Sequence, residues 1–249
     1  YRSTQWIPFC KLCFAILVLL YVVIRWINID LTNDERPRRL SYADTISGKN
    51  LEDQVQVPIY LLGALCVDLL PFKEVTCLRL PSVLAFIVYL CAAFGITRML
   101  RPRWLDLLSF IALCTNAYML DFFSIARGFG LALAFSLASL YFLFRTLHIQ
   151  NHQRSILMEH LSLWSAWIAV VSCISFIHLY ASIWLILFYL SFNCRTLFKD
   201  PKFQKPFWLY LRTLAVENRH LFANAMMLAL FYGHRIILMQ RAGSLYHGG

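Results

Sequence analysis

Asp121-Phe122-Phe123-Ser124-Ile125-Ala126-Arg127-Gly128-Phe129-Gly130 separates two long apolar runs, and so short a polar join decides the fold. A carboxylate and a guanidinium lie six positions apart in it, with hydrocarbon-like sequence on both sides. Charges held this close to a bilayer core are costly and tend to be kept for a purpose. The pattern reads as two membrane helices joined by a tight turn. Gly128 and Gly130, just after the arginine, admit close approach by backbone or ligand.

Composition extends that reading to the whole chain. Of the 249 residues, 60% are hydrophobic and 14% charged, against about 25% charged in soluble domains. The apolar residues fall in blocks of roughly 15 to 20, enough to cross a hydrocarbon core as helices. Trp104, Tyr118, Trp164 and Trp208 stand at block ends, as interfacial aromatics do. Spans are expected at Phe9–Ile27, Leu80–Thr97, Trp104–Leu120, Gly128–Phe144, Leu161–Asn193 and Leu221–Gly233, with a shorter block at Pro58–Phe72. The formal net charge of +10 is spread over short joins, which favours positive-inside topology over nucleic acid binding. Eight cysteines lie mostly within apolar runs and act as small hydrophobes. Cys10 and Cys13 make a CxxC with no second pair, a poor metal or redox signal. The chain starts at Tyr1 and stops at Gly249, and reads as a transmembrane domain over 1–249 that is the amino-terminal fragment of something longer.

Charge sets the expected sidedness. Arg98, Arg101 and Arg103 form one basic join; Arg145, His148, His152 and Arg154 form a second; Arg195, Lys199, Lys202 and Lys205 form a third. All three are expected inside. The external loop 30–57 carries six acids against four bases and is expected outside, as is Asp121–Arg127. Parity then makes the 58–72 block a juxtamembrane or re-entrant helix that does not cross. Parity also folds Leu161–Asn193 into two crossings, with an apex near Ser175–Tyr180 that puts His178 outside. The expected fold is all-α: a polytopic membrane helix bundle of about seven crossings.

Several residues on the outer side could carry chemistry. Asp34 and Glu35 follow the first span. A carboxylate there can act as a general base, and a carboxylate pair can hold a divalent cation; the plainer reading is a solvated loop. Arg127 has the planar fork that grips phosphate, or it is a helix-end arginine snorkelling to the interface. Asp121 is a candidate partner for it. His178 is a catalyst or a structural hydrogen bonder.

Taken in order, these segments resemble the GT-C glycosyltransferases, which use polyprenyl-phosphate sugar donors. The likeness is to bacterial relatives of dolichyl-phosphate-mannose protein mannosyltransferases and to aminoarabinose transferases. Asp34-Glu35 looks like their Asp-Glu motif, and Val57-Pro58-Ile59-Tyr60-Leu61-Leu62 like their Pro-Pro-Leu-Tyr-Tyr segment. Leu78-Arg79-Leu80-Pro81-Ser82 matches an Arg-Leu-Pro-Ser stretch, and Ser124-Ile125-Ala126-Arg127-Gly128-Phe129 resembles Glu-Ala-Arg-Gly-Tyr. Ile125 stands where many members have Glu. The resemblance spans roughly residues 8 to 193. It implies inverting sugar transfer to a lipid, glycan or protein acceptor, at the outer face of a bacterial inner membrane. Asp34 or Glu35 would be the catalytic base. Arg127, Arg38, Arg39 and Lys49 would bind the donor phosphate, with Asp121, Tyr60 and His178 in support. No cofactor is required, although Asp34 and Glu35 would suit a divalent cation. Two other classes fit the same charges: a transporter or flippase for a lipid-linked or anionic substrate, and a non-catalytic membrane protein.

Overall fold

The computed structural model describes residues 6–29, 57–100, 102–125, 128–148 and 152–172, together with residues 226 and 230. The described part is all-helical, without strands. Seven helices follow in order: α1 (Trp6–Asn28), α2 (Val57–Leu69), α3 (Glu74–Thr97), α4 (Arg103–Cys114), α5 (Ala117–Ser124), α6 (Gly128–His148) and α7 (His152–Ser172). Three of them, α1, α3 from Val75 and α6 to Thr146, are long and apolar enough to cross a membrane, and α4 with α5 makes a fourth crossing if counted as one bent span. The chain is a helical membrane protein. Contacts divide it into two compact units, Tyr1–His178 and Leu179–Gly249, and the helices α1 to α7 all lie in the first.

Polar contacts fix the direction of each helix. Near its start, α1 places the Lys11 ammonium 2.8 Å from Thr97 Oγ1 at the end of α3 and 2.5 Å from Asp106 Oδ1 near the start of α4. Near its other end, Trp26 donates its indole N–H to the Thr76 carbonyl at the start of α3 (3.1 Å), and Arg25 pairs with Asp121 on α5 (2.9 Å). The helix α1 is therefore antiparallel to α3, and α4–α5 runs from the Lys11 level toward the Arg25 level. Along α1 the two levels lie roughly 21 Å apart, at about 1.5 Å per residue.

Gly95 late in α3 meets Tyr141 late in α6, so these two helices are parallel. Gly130, at the start of α6, needs to be glycine, because a Cβ there would sit 2.8 Å from the Phe122 carbonyl oxygen. The helix α7 returns antiparallel along α6. Ser162 donates its hydroxyl to the Ser139 carbonyl at 2.9 Å, which leaves the Ser139 hydroxyl to donate to Ser162 Oγ at 3.2 Å. Ser162, Ser165, Ala166 and Ala169 are buried along one face of α7, the small-residue seam expected where lipid supplies no hydrophobic drive to associate. The core is aromatic. Phe123 of α5 packs on Phe86 and Tyr89 of α3, with ring centroids 4.8 and 5.3 Å away.

Several expected boundaries shift. Trp104–Leu120 is not one straight span: it breaks at Thr115–Asn116, and α4 and α5 meet at a 55° bend. The cause is local. Asn116 Oδ1 accepts the Tyr118 and Met119 amides, replacing helical bonds with a cap. The helix α3 begins at Glu74, six residues before the expected Leu80, and continues through Pro81. Pro58–Phe72 contains a helix of 13 residues, Val57–Leu69, roughly 20 Å long and short of a ~30 Å core. The helix α7 takes His152 and Arg154 of the basic join into its first turn and begins at His152 rather than Leu161, so it has 21 residues. The expected apex of the following hairpin and the Leu221–Gly233 span lie outside the described residues, apart from 226 and 230.

Candidate functional site

Helix directions bring the last turns of α1, α5 and α7 to one end of the bundle. The helix α6 begins at the same end, at Gly128. The helix α2 belongs to the same end, since Gly63 packs against the Leu78 backbone early in α3. At the other end lie Lys11, Thr97 and Asp106.

Among the sequence-predicted residues, Asp121 is described with its side chain. It sits on α5, not in a loop. Its Oδ1 is 2.9 Å from Arg25 Nη2, so its partner is an arginine of α1 that the sequence did not single out. Both side chains are a little over a third exposed (37% and 39%), so water screens the pair. Arg25 Nη1 also donates to Tyr21 Oη at 3.0 Å. Tyr60 falls within α2, its side chain outside the described residues. Asp34, Glu35, Arg38, Arg39, Lys49, Arg127 and His178 also lie outside them.

Arg79, quoted above only as part of a motif, is fully buried at this end. Its Nη1 donates to the Ile29 carbonyl at 2.7 Å and to the Trp26 carbonyl at 3.4 Å. A cation on the last carbonyls of α1 satisfies orphan acceptors and complements the negative end of the helix dipole. With the Trp26–Thr76 bond it clamps the exit of α1 onto α3, and so fixes where the 30–57 loop begins. Asp34 is six residues past Asn28, a reach of at most ~20 Å. The end therefore gathers Arg25, Arg79 and Asp121 around the root of that loop.

The second cluster was not legible as chemistry. Lys11 is 1% exposed and Asp106 13%, and the ammonium also lies 4.1 Å from the Phe94 ring centroid and 5.0 Å from that of Phe110. One signal could have found it: a lysine one turn into an apolar run is an intramembrane charge that needs a partner. Burial and, second, Cys77 push the Cys66 thiol on α2 above its ordinary value, which keeps it protonated near neutral pH. Among the described residues no group of three or more His, Cys, Asp or Glu could hold a metal ion. No family model, curated protein or solved structure matches the chain.

Proposed function

We propose that the chain is a membrane glycosyltransferase that moves a sugar from a polyprenyl-phosphate donor to an acceptor at the outer face of a bacterial inner membrane. About seven crossings go with this reading, as does the 58–72 block lying at the membrane surface. The observation that carries it is the gathering at one end: the loop bearing Asp34-Glu35 leaves α1 beside Arg79, Arg25 and Asp121, at the end where α5 turns toward Arg127.

In the reaction, Asp34 or Glu35 takes the proton of the acceptor hydroxyl or amine. The acceptor atom bonds to the anomeric carbon from the face opposite the phosphate, and the carbon–oxygen bond to the lipid phosphate breaks. Arg127, with Arg38, Arg39 or Lys49, holds that phosphate and stabilises the charge it gains on leaving. Asp121 pairs with Arg25 of α1 close to where α5 ends.

The test is transfer by the full chain in proteoliposomes supplied with a panel of polyprenyl-phosphate sugars. Transfer that is lost in Asp34→Ala/Glu35→Ala and in Arg127→Ala, with membrane insertion intact, is expected. Undiminished transfer by the Asp34→Ala/Glu35→Ala variant overturns the reading.

The broken α4–α5 crossing favours a second reading, a transporter or flippase, because such proteins bind substrate at discontinuous helices. Movement of the lipid-linked sugar across the bilayer without any transferred product would select it.

A further inference from the structure

Tyr89 donates its hydroxyl to the Leu113 carbonyl, just before the break, at 2.8 Å. Along α3, Tyr89 lies roughly 15 Å from Arg79 and roughly 12 Å from Thr97, at about 1.5 Å per residue. The α4–α5 break is thus close to mid-depth, between the two charged levels.

Thr115, Asn116, Ala117 and Tyr118 are nonetheless all exposed, Tyr118 at 72%. The last carbonyls of α4 and the first amides of α5 meet there, and the protein answers only part of their demand. Thr115 N–H donates to the Ile111 carbonyl, Tyr89 serves Leu113, and Asn116 Oδ1 serves two amides. The Thr115 hydroxyl and the Asn116 amide group are left at the surface. Hydrocarbon offers such groups no hydrogen bond, and irregular backbone at membrane depth persists only against protein or a water-filled cavity.

The exposed stripe also changes character at this point. Toward the Lys11 level it is apolar, through Trp104, Leu108 and Ala112, the four-residue spacing of one helix face. Past the break it is mixed: Asn116 and Tyr118 are exposed, and Asp121, with Arg25 beside it, is half-buried next to Phe122.

We propose that the break faces a hydrated cleft that opens at the Arg25 level and reaches mid-depth. Water answers the groups at the break, and Asp121 and Arg25 stand at the mouth. This inference deepens the transferase reading by giving the polar part of a lipid-linked substrate a route past α5. Hydration rests on backbone chemistry and not on catalysis, so either can fail while the other stands.

The test uses the full chain in proteoliposomes, with single cysteines added at Thr115→Cys, Asn116→Cys and Tyr118→Cys. Leu108→Cys and Ala112→Cys serve as references, and the parent chain's rate is subtracted. The probe is a charged, membrane-impermeant methanethiosulfonate ammonium reagent, itself the size of a head group. Rates at 115, 116 or 118 at least about tenfold above those at 108 and 112 are expected if water reaches the break. Thr115→Cys and Tyr118→Cys keep the Asn116 cap, so loss of folding in Asn116→Cys does not decide the result. Equal rates at all five positions overturn the proposal. So does reaction at the break with membrane-soluble N-ethylmaleimide alone.

Discussion

Replacing Lys11 by Met would remove the cation from a site where almost no water reaches it. The ammonium is 1% exposed, 2.5 Å from Asp106 Oδ1 and 2.8 Å from Thr97 Oγ1, with the Phe94 ring centroid 4.1 Å away. Two unit charges 4 Å apart attract by about 4 kcal/mol at an effective dielectric of 20. Most of that gain offsets the loss of hydration, so the intact pair adds little net stability. Breaking the pair is different, because it strands one charge: about 3–5 kcal/mol is the usual loss. Asp106 keeps some water at 13% exposure, which puts Lys11→Met at the lower end, about 3 kcal/mol. That is roughly a hundredfold in the folding constant. Asp106→Leu alone strands the ammonium instead and should be at least as damaging. The double variant Lys11→Met/Asp106→Leu leaves no unpaired charge and should return to within about 1 kcal/mol of the parent. Reversible unfolding in mixed micelles, titrated with sodium dodecyl sulfate and followed by tryptophan fluorescence, would measure all four. Single losses that simply add in the double variant would refute the buried pair.

Two further outcomes follow from packing and screening. Gly95→Ala drives a methyl into the Tyr141 ring and should cost about 1–3 kcal/mol by the same titration, with Tyr141→Ala in the same chain removing the clash. Arg25→Gln, by contrast, loses a pair whose members are over a third exposed and should change stability by less than about 1 kcal/mol, while lowering any transfer that depends on the docked α5–α6 turn.

What the sequence revealed, and what it withheld, follows from the physics of each signal. Apolar length located α1, most of α3 and α6, because a membrane helix needs about 20 apolar residues whatever its neighbours are. The close approach at Gly130 was legible as well, since only glycine lets α6 start against the Phe122 carbonyl. The break at Asn116 was not. Hydropathy averages over a window, and two residues that cap a new helix barely change the mean. Lys11 and Asp106 lie 95 residues apart in sequence, so their pairing belongs to the tertiary fold. Asp121 was flagged for its charge and position; Arg25 was not, because only the tertiary fold brings the end of α1 beside α5.

Sidedness tests the central claim most directly. Cysteines placed singly at Asp34, Asp121 and His178, with one at Arg101 for comparison, can be labelled by an impermeant maleimide in intact cells and again in inverted vesicles. All of the first three labelled from one side, and Arg101 from the other, is the predicted result. Asp34 and Asp121 labelled from opposite sides would contradict it, because no single active site could then hold both.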